Sequence, residues 1–261
     1  MTQATEAPLR LAFLQTPSPM GDIALGLATL TQALQAAGAA GARMLVAPET
    51  YLPGYNQPDV ATRALPRDGD WADVLSSACR DAGCGLCVGY AERDGGRVHN
   101  AALAFSPTGQ RLADYRKIQL YGPREKAIYT PGDAYTTFDL DGVKTAILIC
   151  YDVEFAPHVA ALAAQGVTLI LTPTANMEPF HHVVRATVPA MAANHAMRIV
   201  YANYCGVEGD LTYLGGSLVA AEDGSVVAQA GRGPALIIAD MPENLNRDLL
   251  YTQAADYRPI T

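Results

Sequence analysis

Basic residues are scarce in this 261-residue chain: 18 Lys and Arg stand against 26 Asp and Glu, for a formal net charge of −8. A protein that grips nucleic acid by displacing counterions needs a basic face, so nucleic acid is excluded as a general partner. Charge of either sign is thin, at 17% of residues, while 50% are hydrophobic, which excludes global disorder and allows a large core. Long apolar runs are also missing. No stretch reaches the ~18 residues that span a bilayer, so no membrane partner is expected. The most apolar segments, 143–149 and 167–171, suit buried strands. Residues 1–8 carry no basic cluster, and no small-residue cleavage site follows an apolar run, so no secretory signal is expected. The five cysteines are an odd number, which together with the lack of a signal favours free thiols in a reducing cytoplasm. Repeats, low-complexity tracts and charged linkers are absent, and residues 1–261 read as one domain.

What is present is an alternation of strand-like and helix-like segments. Residues 9–14 read as a first strand, 23–37 as a helix ending before Gly38, and 44–47 as a short apolar strand running into Pro48 and Glu49. Residues 71–82 read as a helix stopped by Gly83, and 86–91, 101–106 and 111–116 as three successive strands, the last two joined by a turn at Pro107-Thr108-Gly109. Strands 135–140 and 143–149 flank Asp141-Gly142, a strong two-residue hairpin signal. A helix at 156–165 and a strand at 167–172 follow. Residues 181–197 look helical, although Pro189 should bend or break them. Residues 199–204, 216–220, 226–230 and 235–240 read as strands. The pattern suggests two sheets covered by helices, though periodicity alone fits one large mixed sheet as well.

Three polar residues stand at the ends of strand-like segments. Cys150 follows the apolar run 143–149 and precedes a polar turn, Tyr151 to Glu154. Ligands of α/β folds bind at the carboxyl ends of strands, and backbone N–H groups in such a turn can hold an oxyanion. An arbitrary cysteine is more often a small buried hydrophobe. Glu49 leads into Thr50 and the aromatic-rich run Tyr51-Leu52-Pro53-Gly54-Tyr55. A carboxylate walled by aromatics can serve as a general base, although a solvated loop acid is the ordinary case. Lys117 closes the strand 111–116. Most lysines are surface residues.

Taken in order, these blocks resemble the three signature blocks of the carbon–nitrogen hydrolase (nitrilase) superfamily. They are Pro48-Glu49 with the run 51–55, Tyr115-Arg116-Lys117-Ile118-Gln119-Leu120, and Ile149-Cys150-Tyr151-Asp152-Val153-Glu154-Phe155. Further matches are residues 129–133, 172–176, 201–206 and 215–217, followed by Asp223-Gly224. The resemblance spans about residues 11–240 and lies closest to bacterial aliphatic or ω-amino-amide amidases. It implies an α/β fold, a four-layer αββα sandwich, paired into a homodimer. It implies that Glu49, Lys117 and Cys150 converge as the catalytic set, with a second glutamate at Glu125.

The implied chemistry is hydrolysis of a small carboxamide to carboxylate and ammonia through a thioester, without metal or organic cofactor. Glu49 takes the proton of Cys150, and Lys117 with the backbone N–H of Tyr151 holds the oxyanion. Tyr55, Asn176 and Glu178 are the further expected substrate-binding residues. A substrate ammonium, as in a short ω-amino or cyclic-amino amide, would meet Glu178 or Asp152.

The chain departs from its relatives at residues 188–194. An Arg-Ala-Arg-Ala-x-Glu-Asn run is common there, and here both arginines and the glutamate are missing while Asn194 remains. Cys84 and Cys87 have the spacing of a redox dithiol or half a zinc site, but no second ligand pair exists, so they read as buried thiols. His181 and His182 read as polar groups near the pocket rim. Two alternatives share the same catalytic residues: a nitrilase and an N-carbamoyl hydrolase. A further one is a non-catalytic interaction module on the same fold.

Overall fold

The computed structural model describes residues 8–241 and 256–258. The first half runs β1 (Arg10–Gln15), α1 (Ile23–Ala39), β2 (Met44–Val46), α2 (Val60–Arg63), β3 (Leu65–Pro66), α3 (Asp70–Ala82), β4 (Gly85–Asp94), β5 (Arg97–Phe105), β6 (Arg111–Arg116) and α4 (Gly122–Ile128). The second runs β7 (Thr137–Leu140), β8 (Val143–Ile147), a 3-10 turn (Cys150–Glu154), α5 (Ala156–Ala164), β9 (Leu169–Pro173), a π-helical turn (Val183–Thr187) and α6 (Val188–His195). It closes with β10 (Arg198–Ala202), β11 (Cys205–Glu208), β12 (Leu211–Leu214), β13 (Leu218–Ala220), β14 (Val226–Gln229) and β15 (Ala235–Asp240).

Strand alternation sets the layers. In β1, Leu11 and Phe13 join one core while Ala12 and Leu14 join another; β2 splits Met44 and Val46 from Leu45, and β4 splits Cys87 from Leu86 and Val88. Successive strand residues face opposite sides, so each of these strands is buried on both. One face meets α1 and α3. The other meets a second sheet, whose β8, β9 and β10 give Ala146, Ile147, Leu169 to Leu171 and Ile199 to Ala202 to the shared core and carry α5 and α6 on their far side. The sheets have the orders β15-β1-β2-β4-β5-β6, with β3 on β4, and β14-β13-β10-β9-β8-β7. The result is the expected αββα sandwich, with two sheets rather than one.

Two local readings change and a third is sharpened. Helix α1 does not stop before Gly38 but runs to Ala39. A Cβ at Gly38 would lie 2.0 Å from the Ala82 carbonyl oxygen, so this glycine lets α1 and α3 approach and is not a helix stop. The break expected at Pro189 is present as a change of helix type, and it does not end the helical segment. The π-helical turn directly before α6, with the Val188 N–H bonding five residues back to Val183, widens the backbone where the proline ring would otherwise clash. The strand read at 199–204 ends at Ala202, and the unforeseen β11–β12 hairpin follows. Its loss of register at Asn203 has a reason: that amide donates to the carbonyls of Asn176 (3.0 Å) and Gly215 (2.8 Å).

Candidate active site

The site lies where parallel strands of both sheets end. Glu49 follows β2, Lys117 follows β6, Cys150 follows β8, and Thr174 to Asn176 follow β9. The two sheets touch here, through the Glu49 N–H on the Thr174 carbonyl (3.3 Å). The Tyr204 hydroxyl fixes the same segment by donating to the Glu49 carbonyl (2.9 Å). Room for it comes from Gly89 in β4, where a Cβ would lie 2.3 Å from the Thr50 nitrogen and 2.6 Å from the Glu49 Cα.

Lys117 is the centre of a buried trio. Its Nζ donates to Glu49 Oε1 (2.6 Å) and to Glu125 Oε1 (2.8 Å). All three side chains are at most 1% exposed. Asn100 Nδ2 donates to the same Glu49 Oε1 (2.7 Å), leaving Glu49 Oε2 buried and without a partner among the described residues. Glu125, on α4, also accepts from the Tyr55 hydroxyl (2.7 Å) and the Tyr121 N–H (2.9 Å).

Burial lifts the Glu49 carboxyl above its ordinary range, against the pull of Lys117. Burial alone would discharge Lys117, but Glu125 and Glu49 outweigh it and hold the ammonium form well beyond the usual lysine range. Burial, then the Glu49 charge, pushes the Cys150 thiol far up; Lys117, Thr174 and the Ala175 backbone pull it down less strongly. The thiol is therefore protonated at neutral pH. It becomes a nucleophile only if a base takes its proton during attack.

Cys150 has φ +48° and Thr50, next to Glu49, has φ +46°. Left-handed backbone at a non-glycine residue is strained, and such strain persists where the surroundings hold a side chain in a required position. Two of the strained residues stand at the ends of the strands that meet here. Tyr151, second in the 3-10 turn, has a backbone N–H that no preceding turn can accept.

A cavity of about 260 Å³ opens over Cys150. Of the expected binding residues, Tyr55, Tyr151 and Asn176 line it. The Asn176 amide is tied to the Phe180 carbonyl (3.3 Å), and its N–H bonds Asn203 Oδ1 (2.8 Å).

Glu178 and Asp152 do not line this cavity. Glu178 lies on a separate open cavity of about 700 Å³ and pairs with Arg232 and with His181 (2.7 Å). The cis peptide at Glu178-Pro179 belongs to that turn. Asp152 is fully buried, and its carboxylate is consumed by the Tyr115 hydroxyl (2.8 Å) and the N–H groups of Gln119 (2.7 Å) and Ile149 (3.1 Å). It braces the cysteine turn against β6.

Sequence reasoning missed Asn100, Tyr121, Phe180 and Glu154, and the last three line the Cys150 cavity. Asn100 was detectable as a polar residue inside the apolar strand β5. Glu154 stands inside the cysteine block, at the end of the turn, where the sequence pattern does not set it apart from Asp152. The histidines divide, His182 bordering the Cys150 cavity and His181 the other. Cys84 and Cys87 are buried free thiols; burial pushes Cys84 up to about 12 and Cys87 higher still.

A four-layer αββα fold with a buried glutamate–lysine–glutamate trio beside a strained cysteine is the architecture of the nitrilase class. Residues 10–249 match the carbon-nitrogen hydrolase family, and the chain belongs to it. It is 40% identical over 241 residues to the protein named "Hydrolase in pqqF 5'region" of Pseudomonas protegens, covering 91% of this chain and 84% of that one. It is 32% identical over 251 residues to an (R)-stereoselective amidase of a Pseudomonas species, covering 95% and 89%. Among solved structures, the amidase of Nesterenkonia sp. AN1, in a mutant form with acrylamide added at its active-site cysteine, superposes with a TM-score of 0.88 at 31% identity, covering 96% of each chain.

Proposed function

We propose that this protein hydrolyses a small carboxamide to carboxylate and ammonia, with Cys150 as nucleophile, Glu49 as general base and acid, and Lys117 as oxyanion donor. The observation that carries this reading is the buried Lys117 bridging Glu49 and Glu125 at the strand ends that also present Cys150. The amidases among its relatives, one with acrylamide on its active-site cysteine, support the reaction class.

The thiol of Cys150 attacks the amide carbonyl carbon as its proton passes to Glu49, whose Oε2 has no other hydrogen-bond partner among the described residues. A lysine ammonium has three donors; two are taken by Glu49 and Glu125, so the third can meet the oxyanion together with the Tyr151 N–H. The tetrahedral intermediate collapses, the C–N bond breaks, and Glu49 returns its proton to the leaving nitrogen. A water molecule then gives a proton to Glu49 as its oxygen attacks the thioester. The C–S bond breaks, releasing the carboxylate and restoring the thiol. Glu125, fixed by Tyr55 and the Tyr121 N–H, positions Lys117.

The cavity volume of about 260 Å³ falls below the ~300–1,000 Å³ of pockets for drug-sized ligands, which suits a short amide. The chain acts as one domain in this reading. Two copies pair through their helices in this reading, and size-exclusion chromatography tests whether the protein is a dimer. Five free thiols suit a reducing cytoplasm. Among the described residues no helix is long and apolar enough to cross a membrane.

The test of function is ammonia release by purified protein over short amides, nitriles and N-carbamoyl compounds. Amides should be turned over fastest, and Cys150→Ala should abolish turnover. A preference for nitriles would overturn the amidase reading, and binding without turnover of any class would favour a non-catalytic module.

A further inference from the structure

The cavity over Cys150 is walled by aromatic rings. Tyr121 packs edge-on against Tyr151 (5.3 Å between centroids) and against Phe180 (5.9 Å). Into this box comes one carboxylate, that of Glu154. Unlike Glu49, Glu125, Asp152 and Glu178, it makes no hydrogen bond or ion pair among the described residues. It is half-buried, closes the 3-10 turn that Cys150 begins, and leads into α5.

A carboxylate left open in a ring-lined cavity has a cost unless something else answers its charge. Lys117 cannot answer it directly, since its ammonium is wholly buried between Glu49 and Glu125. With both of those ionised the trio carries net −1, so an anionic end group would find two negative centres and no lysine or arginine among the described residues that line the cavity. A compact ammonium would find a carboxylate and the faces or edges of aromatic rings, the combination that binds organic cations.

We propose that Glu154 is a specificity-determining residue that receives an ammonium group at the far end of the amide substrate. This rests on the amidase reading above and replaces Glu178 and Asp152 as the source of amine recognition. Four steps of a 3-10 turn at about 2 Å each separate the Cα atoms of Cys150 and Glu154 by about 8 Å. That reach suits an aliphatic amide with its amine a few carbons from the carboxamide. Burial pushes the Glu154 carboxyl up to about 7, with Lys117 opposing. A bound ammonium would restore its ionised form.

The test compares 5-aminopentanamide with hexanamide, which matches it in heavy-atom count but lacks the charge. Wild type should favour the amino amide by about tenfold or more in kcat/KM, and Glu154→Gln should bring the ratio close to one. Glu154→Arg should reverse the order when an amide ending in a carboxylate replaces the amino amide. Binding is read separately by calorimetry in Cys150→Ala, where the amino amide should bind more tightly and the added Glu154→Gln should remove the difference. If wild type hydrolyses both amides equally, or keeps its preference in Glu154→Gln, the inference fails and the amidase reading stands. If neither amide is hydrolysed, the amidase reading fails, and the calorimetric comparison alone decides whether Glu154 binds an ammonium.

Discussion

Lys117 Nζ lies 2.6 Å from Glu49 Oε1, an oxygen that also accepts from Asn100 Nδ2 at 2.7 Å. Saturating one oxygen leaves the other, Oε2, as the basic atom. The ammonium thus fixes the base and, in the proposed mechanism, receives the oxyanion. Lys117→Arg keeps the charge but replaces a compact three-donor head with a planar fork in a site with no spare room. We expect kcat to fall by about 10²-fold or more. Steady-state kinetics on a short amide checks this, and near-wild-type kcat would rule out Lys117 as the oxyanion donor.

Iodoacetamide at low dose should modify Cys150 before the other cysteines. Cys79, Cys84, Cys87 and Cys205 are buried, whereas Cys150 borders the cavity and, in the proposed mechanism, gives its proton to Glu49. Peptide mapping against residual activity reads the outcome. Inactivation that follows another cysteine would refute the nucleophile assignment. Glu49→Gln should slow the labelling of Cys150, because the thiol at rest is protonated and loses its base.

The strand ends were legible in the sequence because apolar runs stop abruptly just before Glu49 and Cys150 and the alternating segment 111–116 ends at Lys117. Which of those ends meet was not, since pairing β2 beside β4 and β8 beside β9 depends on contacts far apart in the chain. The family resemblance supplied the convergence. Local spacing also misled. Glu178 and Asp152 flank the right blocks, yet one turns out to Arg232 and the other turns in to Tyr115. Glu154 lies two residues beyond Asp152 in the same turn and faces the cavity instead. Nothing in a one-dimensional pattern separates those two acids, because a five-residue turn has no period to read.

Asn100 is expected to act through Glu49. Its amide favours the ionised carboxylate, so removing it should raise the Glu49 pKa further above its ordinary range. In Asn100→Ala the acid limb of the pH profile of kcat/KM should therefore move to higher pH, with a fall in the plateau value. An unmoved limb with a reduced plateau would mean that Asn100 serves only to pack β5 beneath the site.

Gly89→Ala tests the close approach of β4 to the glutamate segment. The added methyl would press on the Thr50 nitrogen and the Glu49 Cα, both backbone atoms of a strained turn. Overpacking of this kind costs about 1–3 kcal/mol of stability. Urea denaturation should show a lower midpoint, and activity should fall by more than the unfolded fraction accounts for, since Glu49 moves with its backbone. A variant of wild-type stability and activity would show that the glycine has room to spare.

The preference for an amino amide should itself depend on pH. Burial holds the Glu154 carboxyl at about 7, so it is largely neutral below that pH and ionised above it. A primary amine on the substrate stays charged throughout, as a lysine side chain does near its ordinary value of about 10.4. Attraction to Glu154 should therefore switch on as pH rises through about 7. The proton transfers at Glu49, Cys150 and Lys117 act on the carboxamide that both substrates share, so their effect on the chemical step cancels in the ratio of kcat/KM for 5-aminopentanamide to that for hexanamide. Because kcat/KM reports the free enzyme, the step should fall at the pKa of unliganded Glu154, not at the lower value of the complex. Glu154→Gln should give a flat ratio. Tyr121, Tyr151 and His182 are the other titratable side chains on this cavity besides Tyr55 and Cys150. His182→Gln separates the histidine from Glu154: if Glu154 is the source, the step persists in that variant. A ratio that stays level in wild type, or a step that disappears with His182, would place the switch somewhere other than Glu154.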